Sequence, residues 1–380
     1  LIRSYVNPIN YVAKLKEFAI DRVGFSILGS RSVELHQLVQ IQSEESSLKL
    51  RPLTTPYILS DRARHYKMMP RAKVVGEVFE SLRPTYETAA GFVVPEQIPT
   101  VHESSLNNEV VSFHNRAAVI PYPVNQDVMD YYECFVARYF DLIFPDHQMY
   151  EVKYRFHEWN NRFPPAKRAE QLRFYNAYKR YPDSVKYSVK AFVKQEKRLD
   201  SWVWVYIPGK PRFIVPCDVS FNVRVGPEIY SESMKLQKIW NKDHFIYYTA
   251  GSNSEDIGEW FDLVGHNAPG YRYGDSDFKT FDASEHARLQ EVDIECSQRL
   301  GVSQSTCDDM RNAIEITGFS LHGLMFRIAE AMASGKPQTM QHNSKTNALT
   351  TCFNMCLSNA HLPFEEVVKR FRLIVVGDDS

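Results

Sequence analysis

Hydrophobic and polar positions along the chain follow two periods, and changes of period mark out the elements. From Asp127 to Phe144, Met129, Tyr132, Phe135 or Val136 and Tyr139 recur at helical spacing and predict a helix. Ser188 to Glu196 alternates with period two. On a strand this puts Lys190, Phe192 and Lys194 on one face and Val189, Ala191 and Val193 on the other. Ser201 to Ile207 alternates in the same way, and Gly209, Lys210, Pro211 and Arg212 form a turn into the apolar run Phe213 to Val215. Tyr271 to Asp277 reads as a strand. Asp282 and Glu285 then have the spacing of a capping box opening a helix that turns Leu289, Val292, Cys296 and Leu300 inward. Pro337 stands where a further helix begins, and on it Thr339, Asn343, Asn347, Thr350 and Asn354 form one polar stripe, with Met340, Leu349, Phe353, Cys356 and Leu357 largely elsewhere. Finally, Phe371 to Val376 is a short apolar strand running into the tight turn Gly377-Asp378-Asp379.

Composition adds bounds rather than a function. With 380 residues, 44% hydrophobic and 24% charged, the chain has average globular usage, which excludes a disordered or collagen-like protein. No apolar run approaches the roughly 20 residues that span a bilayer. The chain begins at Leu1 with no secretory pattern after it, and reads as a fragment or processed product. Six scattered cysteines offer neither a disulfide framework nor zinc spacing, which fits a reducing compartment.

Charge changes the picture when counted by segment. Residues 153–212 carry 15 Lys and Arg against 5 Asp and Glu, a local +10 that leaves −11 over the remainder, although the whole chain sums to −1. Thirteen of those 60 residues are aromatic. Cations meet phosphates and rings stack on bases, so the window suits a nucleic acid; a basic face over an ordinary aromatic core fits equally well. The lysine and arginine comb at 190–212 could hold a triphosphate. The acids pose a similar choice. Asp282 alone reads as a helix cap, and Asp378 and Asp379 alone as solvated turn residues. Yet carboxylates on neighbouring strand tips are what a pair of Mg²⁺ ions needs, at about 4 Å separation. The polar stripe is either a recognition surface or a set of amides in water. Ser334-Gly335-Lys336 is not a phosphate-binding Walker loop, because Glu330 stands where that motif needs glycine.

Taken in order, these segments resemble the RNA-dependent RNA polymerases of positive-strand RNA viruses. Asp277-Phe278-Lys279-Thr280-Phe281-Asp282 is similar to their motif A; Ser334-Gly335, Thr339, Asn343-Ser344 and Asn347 to motif B; and Val376-Gly377-Asp378-Asp379 to motif C. Upstream, Lys190 to Lys197, Pro211 to Pro216 and Asn222 to Gly226 resemble motif F, nearest the tombusvirus and nodavirus-like branch, and Arg162 to Tyr178 resembles motif G. The likeness covers about 155–380. Where that branch has further arginines after Arg212, this chain has Cys217 and Ser220, so the carry-over from motif F is to Lys194 and Arg212.

The resemblance implies an α/β (α+β) right hand. Residues 1–110 would be an N-terminal extension, 111–270 the fingers with motifs G and F, and 271–380 a palm around an antiparallel sheet, with about 295–330 returning to the fingers. The chain ends one residue after Asp379, so the palm is expected to be incomplete, the thumb absent, the acidic tip frayed and the chain inactive alone. It further implies templated transfer of ribonucleotides to an RNA 3′ end. Asp277, Asp378 and Asp379 would bind Mg²⁺, with Mn²⁺ as an alternative. Asp282, Ser334, Thr339 and Asn343 would read the ribose, Lys194 and Arg212 would neutralise the triphosphate, and Gly335, Arg162, Lys167 and Arg168 would meet the template. Partners would be RNA template and product, ribonucleoside triphosphates, other replicase components and host membranes, at membrane-associated sites in the host cytoplasm. The rivals are a catalytically silent RNA-binding or replicase-assembly protein, and a reverse transcriptase, which Asp282 and Asn343 disfavour.

Overall fold

A computed structural model of the chain describes residues 104–113, 117, 125–195, 198–201, 211–265, 270, 272–275, 281–328 and 331–380, together with strands at 51–53, 66–68 and 97–102. Its helices are α1 (Leu106–Ser112), α2 (Gln126–Ile143), α3 (Phe156–Asn161), α4 (Pro165–Arg180), α5 (Val219–Ile239), α6 (Ser254–Leu263), α7 (Phe281–Ser284), α8 (Ala287–Arg299), α9 (Gln304–Asn312), α10 (Thr339–Ser358) and α11 (Phe364–Val367). The strands are β1 (Arg51–Leu53), β2 (Tyr66–Met68), β3 (Gln97–His102), β4 (Val189–Val193), β5 (Arg198–Ser201), β6 (Phe213–Ile214), β7 (Ile246–Tyr248), β8 (Ile316–Ser320), β9 (Leu324–Ile328) and β10 (Leu373–Val375).

The two strongest periodic segments fold as their patterns require. Helix α2 buries Met129, Tyr132, Phe135, Val136, Phe140 and Ile143 along one face, and Asn125 caps it by accepting from the Val128 N–H. Each such side chain contributes about 1.5–3 kcal/mol of burial. In β4 the faces separate as alternation demands, with Val189, Ala191 and Val193 buried and Lys190 and Phe192 exposed.

Strand order β2-β9-β8-β4-β6 makes one mixed sheet, in which β4 runs parallel to β8 and every other pairing is antiparallel. A smaller sheet joins β1, β3 and β5. The C-terminal strand β10 pairs with β7, in parallel, with Leu373 opposite Ile246 and Val375 opposite Tyr248. A strand was expected at 271–277, its tip beside that of β10. Residues 272–275 hold no regular structure, and Asp277 lies outside the described residues. The order that links β10 to the rest of the fold is therefore supplied by a segment some 125 residues upstream.

Two apolar cores underlie these sheets. One gathers α2, the end of α5, β7, α8, α10, α11 and β10, where Phe144 stacks on Trp240 at 5.0 Å and the Trp240 indole N–H donates to the Ile143 carbonyl at 2.7 Å. The other lies against the mixed sheet and takes in α9 as well as the β8–β9 hairpin. All six cysteines are free. Among the described residues no helix is long and apolar enough to cross a membrane.

Candidate active site

From its third residue, helix α10 carries seven consecutive polar residues, Gln341 to Asn347, and every one is buried. An unpaired polar group costs a few kcal/mol in such a place, so these side chains call for partners. Gln341 has none among the described residues, and for most of the rest partners come from several directions. Asn343 Nδ2 donates to Asp282 Oδ1 at 2.8 Å. Ser344 Oγ accepts the Gly377 N–H at 2.7 Å, and Asn347 Nδ2 donates to the Asp378 carbonyl at 3.1 Å. Beneath these, the His342 ring meets Glu285 at 2.8 Å and Asp293 at 2.7 Å, while Lys345 Nζ meets Glu232 at 2.9 Å and Asp293 at 3.0 Å. The first two turns of α10 thus tie the Asp282 segment, the acidic tip and helices α5 and α8 to one rod.

Asp282 is not the cap its spacing suggested. It sits within the single turn of α7, its carbonyl accepting from the Met332 N–H at 2.8 Å, while the N-cap of α8 is His286, four residues on. Glu285 is likewise drawn away from capping by His342. Of the polar stripe, Thr339 donates to the Ala333 carbonyl at 2.7 Å and Asn343 and Asn347 make the bonds above, whereas Asn354 is exposed. Ser334 is exposed on the preceding loop.

The tip itself is a closed turn. Val376 and Asp379 exchange both backbone hydrogen bonds, at 3.1 and 3.2 Å, and Gly377 takes φ 62°, a conformation that favours glycine. With Ser344 and Asn347 holding the Gly377 and Asp378 backbone, the tip is anchored and does not hang free as expected from its place in the sequence. Its two carboxylates are exposed. Such oxygens fit a hard divalent cation. Among the described residues no three His, Cys, Asp or Glu side chains converge to hold a metal, Asp277 lying outside them.

Lys194 and Arg212 come together because β4 and β6 pair: the Lys194 N–H donates to the Arg212 carbonyl at 2.8 Å, leaving Arg212 exposed and Lys194 half-buried at the joined strand ends. Immediately after β6, the backbone at Val215 and Pro216 runs against Gly335 so closely that a Cβ there would lie 2.6 Å from Pro216 Cα. Only glycine fits, so the loop before α10 rests directly on the basic strand pair. A half-open cleft of about 240 Å³ gathers Arg162, Lys167, Gly335, Pro337 and Met340. In it Arg162 stacks over Tyr230 at 4.4 Å and Lys167 pairs with Glu170 at 2.7 Å, while Arg168 is half-buried on α4 outside the lining. Most aromatics of the basic window's first part are structural. Phe156 stacks on Tyr175 at 3.8 Å in a small core with Trp159 and Val223, and among the described residues of the window Tyr181 and, further on, Phe192 are the exposed rings.

Sequence reasoning missed His342 and Lys345 and gave no role at the site to Glu285, read there as part of a cap, to Ser344, which falls within motif B, or to Lys336. The usable signal was the unbroken polar run, which leaves α10 no apolar stripe over two turns. Lys336 is buried with no hydrogen-bond partner among the described residues, and burial lowers its amine to about 8 against the pull of Cys217 and Asp282. Burial opposes charge on His342 too, but Asp293 and Glu285 outweigh it and raise the imidazolium to about 10. Because the folded value lies above the unfolded one, His342 contributes stability that is complete below about pH 6.5 and lost as pH rises through 10. Urea midpoints should therefore fall more steeply over that range in the parent than in His342→Gln; equal slopes would exclude a charged His342.

A family model described as RNA dependent RNA polymerase matches residues 93–380, whereas no curated protein matches the chain.

Proposed function

Since the chain belongs to the RNA-dependent RNA polymerase family, whose activity is templated RNA synthesis from nucleotides in viral RNA replication, we propose that α10 is the rod on which its nucleotide site is assembled. The observation that carries this reading is the 2.8 Å hydrogen bond between Asn343 and Asp282, made by the same two turns of helix that hold the Gly377-Asp378 backbone. The Asp282–Asn343 pair, with Thr339 and Ser334 nearby in sequence, reads the ribose 2′-hydroxyl, a group that both donates and accepts. Asp277, Asp378 and Asp379 hold Mg²⁺ or Mn²⁺, which when bound stabilises charge developing on the phosphate oxygens. The exposed Arg212 and the adjoining Lys194 neutralise the triphosphate, and the cleft containing Arg162, Lys167 and Gly335, with Arg168 beside it, receives template.

On this reading the mixed sheet belongs to the fingers, with the β8–β9 hairpin returning to it, and the β7–β10 pair belongs to the palm. The kinship to the tombusvirus and nodavirus-like branch, and assembly with other replicase components at host membranes, are parts of the same proposal.

Asn343→Ala tests it. A site built to pair a hydroxyl rejects an analogue lacking it because its own polar groups go unsatisfied, so deleting one of those groups relaxes the preference. The ratio of kcat/KM for a ribonucleoside triphosphate over its 2′-deoxy analogue should fall by roughly tenfold or more. An unchanged ratio would remove the ribose role from Asn343.

A further inference from the structure

Asp282 and Glu285 stand at the two ends of one turn of chain, and Asn343 and His342 are neighbours on α10. The hydrogen bond from Asn343 to Asp282 is therefore accompanied, one turn deeper, by a second tie between the same two segments: His342 Nε2 to Glu285 Oε2 at 2.8 Å. The other ring nitrogen of His342 lies 2.7 Å from Asp293 Oδ2, and all three side chains are 1% exposed. With an acid at each nitrogen, both donate and the ring cannot swing. Glu285 lies between α7 and α8, outside either helix, and Gln290 Nε2 donates to its carbonyl at 2.9 Å. The tie to His342 thus acts beside the Met332 N–H, which donates to the Asp282 carbonyl at 2.8 Å.

We propose that Glu285 and His342 are positioning residues for sugar selection: their buried tie sets the separation of the Asp282 turn from α10 and so the geometry of the Asp282–Asn343 pair, without touching the nucleotide. The proposal rests on the ribose reading of that pair. It assigns the specificity of the site partly to two residues that are dry and out of reach of substrate.

Length and charge of Glu285 can be separated by two conservative variants of the intact polymerase. Glu285→Asp keeps the charge but withdraws the oxygen by one methylene, breaking the tie. Glu285→Gln keeps the oxygen in place and removes the charge, a mild change for a carboxyl that burial already shifts toward its protonated form. The ratio of kcat/KM for a ribonucleoside triphosphate over its 2′-deoxy analogue should fall about tenfold in Glu285→Asp and stay within about twofold of the parent in Glu285→Gln. In an Asn343→Ala background, Glu285→Asp should lower the ratio no further, because the two act as a unit. A purely electrostatic or stabilising role predicts the reverse order, with Glu285→Gln the worse variant, and that result would overturn the tie. So would an unchanged ratio in Glu285→Asp when Asn343→Ala alone lowers it. If Asn343→Ala itself leaves the ratio unchanged, the ribose reading fails and the tie with it.

Discussion

Asp378→Asn should abolish templated incorporation, lowering kcat by at least about 100-fold, while RNA binding changes by less than about twofold. The two effects separate because they rest on different parts of the chain. On the proposed reading, RNA affinity comes from the +10 window at 153–212 and is salt-dependent. On the same reading, incorporation needs an acid at a tip whose backbone is fixed by Ser344 and Asn347. The substitution is isosteric and the Asp378 carbonyl that Asn347 holds is unaltered, so the turn should keep its shape and lose only charge. Primer extension and filter binding on one preparation, the latter at several salt concentrations, check both halves. Near-parental extension would remove Asp378 from the chemistry, and a parallel loss of binding would mean that the tip had unfolded.

Lys345→Met is expected to cost about 3–5 kcal/mol of folding stability, the largest stability effect of any single change around α10. Lys345 is 1% exposed and holds the carboxylates of Glu232 on α5 and Asp293 on α8, so it joins three helices at one atom. Asp293 shows how far the cluster depends on its cations. Burial alone would raise its carboxyl, yet His342 and Lys345 pull it down to about 2. The cluster of Glu232, Glu285, Asp293, His342 and Lys345 sets three acids against two bases, and removing Lys345 leaves three acids against His342 alone. Methionine fills the volume but pairs with nothing. Urea unfolding measures the loss, and adding Glu232→Gln should recover part of it by removing a stranded charge. A cost under about 1 kcal/mol would mean that the carboxyls had simply taken up protons.

How much of this was legible in the sequence depends on whether a feature is local. Helix α2 and strand β4 could be read because one face of each is apolar and the period survives in the residue order. The family motifs could be read because their order and spacing are properties of the chain, and it is the resemblance to the family that points to Asp282 and Asn343. Strand β7 could not be found: Ile246, Tyr247 and Tyr248 are all buried, so no alternation marks them, and their pairing with β10 is set by the tertiary fold. Over 272–275, the described part of the strand expected at 271–277, the chain holds no regular structure although its pattern alternates. Asp282 and Glu285 had the right spacing for a cap, but α10 offered each a stronger partner. The buried charges of α10 were invisible because periodicity separates apolar from polar, and has no way to separate polar-in-water from polar-in-network.

The parallel pairing of β7 with β10 has a consequence for how the protein comes off the ribosome. Ile246 to Tyr248 are made about 125 residues before the strand that completes them. At 5–20 residues per second, these three buried residues wait roughly 6–25 seconds with one strand edge open and their side chains lacking the cover of Leu373 and Val375. During that interval α2 and the end of α5 can already pack together through Trp240, but the core above them has no floor. An exposed apolar edge is a template for pairing with another chain. Nascent chains crowded on one message are therefore most prone to cross-pair at 246–248, and a ribosome pause placed after residue 248 should lower the soluble yield more than one placed after 380.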